Sequence, residues 1–472
     1  MDNVNSQAES PDRSRQSRVI PPEYLLPFIL VTSLFALWGF ANDVTNPLVK
    51  AFKEIFLISN TQSAWVQFSF YGGYATMAIP AALVIRKYSF KTGILLGLAL
   101  YATGALLFIP ASLSMQFWLF CAALYILTFG LAFLETSANP YILSMGSQQT
   151  ATRRLNFAQA FNPIGSLIGM FVASNFILTN LEVASFRADE MANHPEYAGQ
   201  LPSAVDGLVT KALEAFAVAE PALHRAMQAH DLGVVRIPYV VIAVVVLVVF
   251  AIFAVSKMPN TGHNHDNIHG WKVAKRLLSR PRYVAGVLAQ AFYVGAQIMT
   301  WTFIIHYGMT LLGLSASEAQ QYNIVAMVLF LSSRFICTFF LKYVSPGLLL
   351  GVLAVGGMCL TLGAIFIQGM TGLYCLIGVS ACMSLMFPSI YGIALDGLSA
   401  DDAKLGSAGL IFAIVGGAVI PMMQAMVLDQ GSFDLGFMTL EAVRMSFFLP
   451  VICFIVIAVY GFWTWKPKPY TA

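Results

Sequence analysis

Two carboxylic acids stand where the surrounding residues call for hydrocarbon. Asp43 falls in the apolar stretch 25–49 and Glu135 in the stretch 116–144. A charge at the bilayer centre costs about 2.5–3.5 kcal/mol on insertion-based scales, so such a group faces a protein interior or a watery cavity. Residues three or four apart share a helix face, and that spacing surrounds both acids with amides. Trp38, Asn42 and Asn46 are four apart, with Asp43 three before Asn46. Glu135 and Asn139 are four apart, and Asn156, Gln159 and Asn162 follow at intervals of three. Carboxylates accept hydrogen bonds and amides both donate and accept, a set suited to a ligand with many hydroxyls. An acid held away from water takes up a proton readily. Glu135 is therefore expected to bind and release a proton, with Asp43 either a direct ligand or a second titrating group.

Aromatic rings supply the complementary surface, because the apolar face of a pyranose stacks on them. Tyr293, Gln297 and Trp301 are four apart, and Trp38 is available from the first stretch. The dipeptide Asn-Pro recurs at 46–47, 139–140 and 162–163. Each proline frees a backbone carbonyl, which in a membrane must be satisfied by protein or water; three kinks beside three polar faces predict a shaped central site. Arg334 and Asp396 read as charges that fix packing, Arg334 through its nearness to Lys342. His263, His265 and His269 lack the cysteine or carboxylate companions of a metal set. With no P-loop, dinucleotide fingerprint or hydrolase motif, uphill transport through such a site must draw on an ion gradient, and no cofactor is expected beyond a coupling proton.

The elements that would position these groups follow from composition. Of 472 residues, 58% are hydrophobic and only 10% charged, and the mean hydropathy is +0.72. Soluble chains carry about 25% charged residues, so a soluble enzyme, a nucleic-acid binder and a disordered scaffold are excluded. A bilayer core of about 30 Å needs about 20 apolar residues per helix. Twelve windows meet that length: 25–49, 63–85, 92–112, 116–144, 155–179 and 237–256, then 284–306, 320–341, 347–369, 371–395, 405–428 and 445–465. Backbone groups in lipid must be paired within their own segment, so each window is a helix.

Two polar segments interrupt the series. Residues 180–236 contain Leu208, Leu213, Phe216 and Ala219 at a helical period, and 257–282 are basic. The expected organisation is a tail at 1–24, a six-helix bundle over 25–256 with 180–236 as its insertion, and a linker at 257–282. A second bundle over 283–466 and a tail at 467–472 complete it, the division of two fused six-helix halves. Lysine and arginine orient the chain: 18 fall on the segments sharing a side with the N-terminus and seven on the other, which puts both termini in the cytoplasm and the insertion outside. The polar first 19 residues lack the short apolar core of a signal peptide. All six cysteines lie in apolar stretches, where packing is their expected role.

Four segments carry a family resemblance: FALWGFA at Phe35–Ala41, LAFLETSANP at Leu131–Pro140, RLNFAQAFN at Arg154–Asn162 and AQAFYVGAQ at Ala289–Gln297. With them the chain resembles the fucose permease branch of the major facilitator superfamily, from the first helix through the twelfth. The resemblance implies an all-α membrane fold of twelve helices in two pseudo-symmetric bundles, and a sugar–proton symporter with a central site. Carried over by position, Glu135 matches the family's coupling acid, and Gln159 and Asn162 match its polar sugar positions. The family's acid in the first helix aligns with Asn46, while Asp43 stands where the family commonly has asparagine, an exchange within one face. Phe387 replaces a tyrosine of the fucose transporters, so one hydroxyl contact is expected to be absent.

The expectation is thus import of a fucose-like or other hexose with a proton by alternating access, in the inner membrane and by a monomer. Its partners are a monosaccharide, a proton and the lipid bilayer, with no nucleic acid. The expected site is Trp38, Asn42, Asp43, Asn46, Asn139, Gln159, Asn162, Tyr293, Gln297, Trp301 and Phe387, with Glu135 and Asp43 as coupling groups. A sodium-coupled or uncoupled sugar facilitator of the same fold is the alternative. Fucose, galactose, glucose and arabinose all stay open as cargo. An enzyme is not expected, since only His306 among the usual catalytic types enters a span.

Overall fold

The computed structural model describes residues 19–45, 48–63, 65–197, 202–259, 270–314, 316–428, 432–434 and 439–466. Twelve helices among them are long and apolar enough to cross a membrane. Spans 1 to 6 are Pro22–Thr45, Trp65–Lys87, Phe90–Ser114, Phe117–Ser144, Gln148–Asn180 and Pro221–Val255. Spans 7 to 12 are Pro281–Leu312, Glu318–Phe340, Pro346–Phe366, Met370–Leu395, Asp402–Leu428 and Ala442–Trp463. Each sequence window finds its helix. Span 6 begins sixteen residues before its window, because the helix continues unbroken from Pro221 out of the apolar stretch. Asn46 and the trio His263, His265 and His269 lie outside the described residues.

The polar insertion folds against the first half. Its helices are Glu182–Asn193 and Pro202–Ala219, the second carrying the apolar period read from sequence, with Leu213 buried, and a further helix, Leu48–Phe56, lies between spans 1 and 2. Asp231 accepts bonds from the backbone amides of Glu182 (2.7 Å) and Val183 (3.0 Å), capping orphan donors at a helix start. Arg187 bridges to Glu54 at 3.2 Å and Phe186 packs on Phe216 with ring centroids 5.3 Å apart. Between spans 11 and 12 a two-stranded antiparallel hairpin pairs Phe433 with Leu440.

Close helix approach sets the geometry of the interior. A Cβ on Gly39 would lie 2.0 Å from the Asn162 carbonyl oxygen, and one on Gly165 would lie 1.8 Å from that of Ala36. Only glycine lets spans 1 and 5 pack backbone to backbone there, which brings Asn42 and Asp43 beside Asn162. The second half repeats the device, where a Cβ on Gly416 would meet the Ala291 carbonyl oxygen at 2.3 Å.

Hydrogen bonds joining the halves gather on the side that carries the start of span 1 and the end of span 12, here the tail side. Asn156 donates to Ser389 (3.2 Å), Gln148 to Asp396 (3.3 Å) and Ser407 to the Thr136 carbonyl (3.2 Å). Lys404 lies over the Phe90 ring.

Candidate functional site

Two of the spans around the centre are not continuous, whereas span 4 runs unbroken through Pro140. In span 5 the α-helix Ala151–Gln159 ends and a new one starts at Asn162. In span 10 Met370–Met383 ends and Met386–Leu395 begins. Both breaks precede a proline, and each proline leaves the carbonyl four residues earlier without its helical donor: Pro163 frees Gln159, and Pro388 frees Ser384. One side chain answers both. Arg334 of span 8 donates from Nη1 to the Gln159 carbonyl at 2.9 Å and from Nε to the Ser384 carbonyl, while its guanidinium lies over the Phe330 ring at 4.6 Å. Pro140 frees the Thr136 carbonyl by the same arithmetic, and Ser407 of the other half donates to it. Arg334 thus fixes packing, as the sequence reading expects, through two carbonyls. It spans the two halves and lines the cavity.

That cavity lies between the halves and encloses about 140 Å³. Trp38, Asn42, Asp43, Glu135, Gln159 and Asn162 line it from the first half, and Tyr293, Gln297, Trp301 and Phe387 from the second. Asn139 does not reach it. Its side chain donates to the Glu135 carbonyl (3.1 Å) and accepts from Gln159 Nε2 (2.8 Å), so it stands behind the wall and orients Gln159. The four-residue spacing from Glu135 put Asn139 on the right face, but the amide is consumed by bonds at the junction of spans 4 and 5.

The lining groups are held by specific partners. Asn162 donates to the Phe35 carbonyl at 3.2 Å. Trp38 stacks with Phe35 at 5.0 Å and its indole N–H donates to Tyr74 Oη at 3.1 Å. Tyr74 and Glu135 both line the cavity. On the far wall Trp301 Nε1 donates to Ser380 (3.2 Å) and meets Phe330 edge-on. Tyr293 donates to the Met383 carbonyl at 3.2 Å, and Phe387 lies between its ring and that of Tyr391.

Sequence reasoning missed Tyr71, Tyr74, Phe330 and Arg334, all on the cavity wall. A signal existed for the tyrosines, three residues apart on one face of span 2 in a stretch (FYGGY) whose glycines admit close neighbours. The wall therefore combines two acids and four amides with a cluster of rings and one guanidinium. It can bind a small, hydroxyl-rich, ring-shaped solute, and it keeps a carboxyl away from bulk water.

Residues 30–187 match the family model of the Major Facilitator Superfamily. An L-fucose–proton symporter of Haemophilus influenzae is 51% identical over 95% of this chain and 99% of its own. The glucose/galactose transporter of Brucella abortus is 28% identical over 91% of this chain and 92% of its own. Among solved structures, the transporter FucP of Escherichia coli in its outward conformation superposes with a TM-score of 0.78, at 30% identity, covering 94% of this chain and all of that one.

Proposed function

The chain belongs to the major facilitator superfamily, in the branch of the L-fucose–proton symporters, and from that premise we propose that it imports L-fucose or a closely related hexose together with a proton. The single observation that carries this reading is the composition of the central cavity: hydroxyl-matching amides and two acids, Glu135 among them, beside sugar-stacking rings contributed by both halves. Sugar enters from the side opposite the tails. Asn42, Gln159, Asn162 and Gln297 bond its hydroxyls, while Trp38 and Trp301 cover its apolar face. Asp43 serves as a further sugar ligand or as a second titrating group.

Glu135 takes a proton from the outer medium. Its neutralisation lowers the cost of enclosing the acid, so the halves rock about the loaded site and release sugar and proton together. The lysine and arginine distribution supports a topology with both termini in the cytoplasm, with the inner membrane as the proposed location and a monomer as the proposed acting unit. Bonds such as Asn156–Ser389 and Ser407–Thr136 then form the inner gate, which must part for release.

Proteoliposome uptake of labelled L-fucose, galactose, glucose and arabinose, with and without an imposed pH gradient, tests the proposal. Accumulation of L-fucose that collapses on adding a protonophore is the expected result. Accumulation that survives the protonophore but stops on removing sodium contradicts it.

A further inference from the structure

We propose that the linker helix Gly270–Leu278 is a docking surface for anionic lipid headgroups of the tail-side leaflet. This surface lies outside the central cavity, and its role is independent of the symport reading. It gives a task to the basic segment between the two bundles.

Residues three or four apart share a helix face, and this helix has two such faces. Val273 and Leu277 form one, at 0% and 3% exposure, packed into the body of the protein. Trp271, Lys275 and Leu278, spaced by four and three, form the other. There Trp271 is 77% and Leu278 66% exposed, and both Lys275 and the neighbouring Lys272 face out. An indole, an aliphatic side chain and lysines on one outward face suit a bilayer surface. The apolar groups reach toward the acyl chains while the ammonium groups stay among the headgroups.

The position of the helix fixes its depth. Leu278 precedes Pro281, where span 7 begins, and three steps of chain reach at most about 11 Å. Trp271 stands seven residues further back, about 10 Å along the helix axis. Arg276 pairs with Asp402 at the start of span 11, so the outward face is presented from a fixed platform. Rings and cations also mark the tail-side ends of other spans. Lys87 lies 5.3 Å from the ring centroid of Tyr88 beside span 2, and Lys342 lies 5.3 Å from that of Tyr343 beside span 8. Such belts sit at the boundary between membrane and water.

Charge identifies the occupant. Arg276 and Arg282 are spent on Asp402 and Asp396. Lys272 and Lys275 pair with no acid among the described residues, and the helix itself contains none. Their complement is an anionic surface. Trp271 and Leu278 on the same side select a bilayer over a soluble acidic partner, because they gain only where hydrocarbon is within reach.

Tryptophan quenching in proteoliposomes of the full chain tests the proposal, with brominated phosphatidylglycerol or brominated phosphatidylcholine titrated into a phosphatidylcholine bilayer. The difference between wild type and Trp271→Phe isolates Trp271 among seven tryptophans. One lysine near an anionic surface favours it by about fivefold. Half-quenching of the Trp271 component should therefore need at least about fivefold less phosphatidylglycerol than phosphatidylcholine. High salt screens exposed charges and should cut that ratio to about twofold or less. Lys272→Gln combined with Lys275→Gln should do the same at low salt and leave Tm unchanged. A Trp271 component that neither lipid quenches overturns the proposal and leaves this face to a soluble partner. Equal quenching by the two lipids overturns it as well, and so does a preference that survives high salt or the double variant. Should the double variant not fold, the salt titration of wild type decides alone.

Discussion

The two walls of the cavity share a scaffold and divide the chemistry. In each half a glycine presses against a neighbouring backbone, Gly165 on Ala36 in the first and Gly416 on Ala291 in the second. Each half also has a span broken before a proline, at Ala160–Phe161 and at Ser384–Leu385. Yet both acids of the cavity, Asp43 and Glu135, belong to the first half, while the rings Tyr293, Trp301, Phe330 and Phe387 and the guanidinium of Arg334 belong to the second. Duplicated helix packing thus fixes the shape. Segregated charges give the walls different duties, titration on one and a cross-half tie on the other, while both contribute rings.

The sharpest way to break this comparison is to remove titration from the first wall. Glu135→Gln keeps shape and hydrogen-bonding capacity and removes the charge. Proton-driven accumulation should fall to the level of simple equilibration, while counterflow exchange stays within about threefold of wild type. Uphill uptake by that variant would move the coupling group elsewhere.

Next in size is the cross-half tie. Arg334→Met leaves the Gln159 and Ser384 carbonyls without their donor, and an unsatisfied buried group costs about 1–3 kcal/mol. The solubilised variant should lose several degrees of Tm, and Arg334→Lys should recover only part of it, because one ammonium lacks the fork that reaches both carbonyls. Full recovery by lysine would show that charge alone, without the two directed bonds, is what the second wall supplies.

A smaller effect is expected at Ser407, whose hydroxyl answers the carbonyl freed by Pro140. Ser407→Ala removes a bond worth about 0.5–1.5 kcal/mol and shifts the population toward a parted tail side. Maleimide labelling of a cysteine at Thr152, packed against Gly392 across the halves, should quicken by about two- to tenfold. An unchanged rate would remove that bond from the gate.

The smallest effect lies outside both walls and serves as their control. The bond to Glu196 raises the His194 pKa above its usual 6.5, and a backbone bond followed by the one from His194 lowers that of Glu196 below its usual 4.5. The histidine's contribution is lost as pH rises through its raised value, and the carboxylate's as pH falls through its lowered one. Their pairing therefore holds between those limits. Histidine NMR shifts of His194 should follow that window, and His194→Ala should leave accumulation unchanged. A transport defect there would extend the functional site to the insertion.

Much of this arrangement was legible in the residues. Twelve apolar runs separated by polar loops prescribe twelve helices, and the spacing of Trp38, Asn42, Gln159, Asn162, Tyr293, Gln297 and Trp301 prescribes faces that the fold turns to one cavity. The proline positions also identify, four residues earlier, which carbonyls need a donor. What spacing does not carry is the donor's identity. Arg334 reaches a carbonyl 175 positions away, a relation set by how the halves meet. Asn139 shows the converse limit, since a helix face gives direction, yet neighbours decide whether an amide looks inward or is spent on a partner. Tyr74 was hidden because tyrosine in a span serves packing and polar contact equally well, and only its partners distinguish the two.

The most direct test of the account follows pH outside lightly buffered proteoliposomes when L-fucose is added with no imposed gradient. The medium should turn alkaline as sugar enters wild-type vesicles and stay constant with Glu135→Gln. Sugar entry through the wild-type protein without any alkaline shift would contradict the claim that sugar and proton cross through one site.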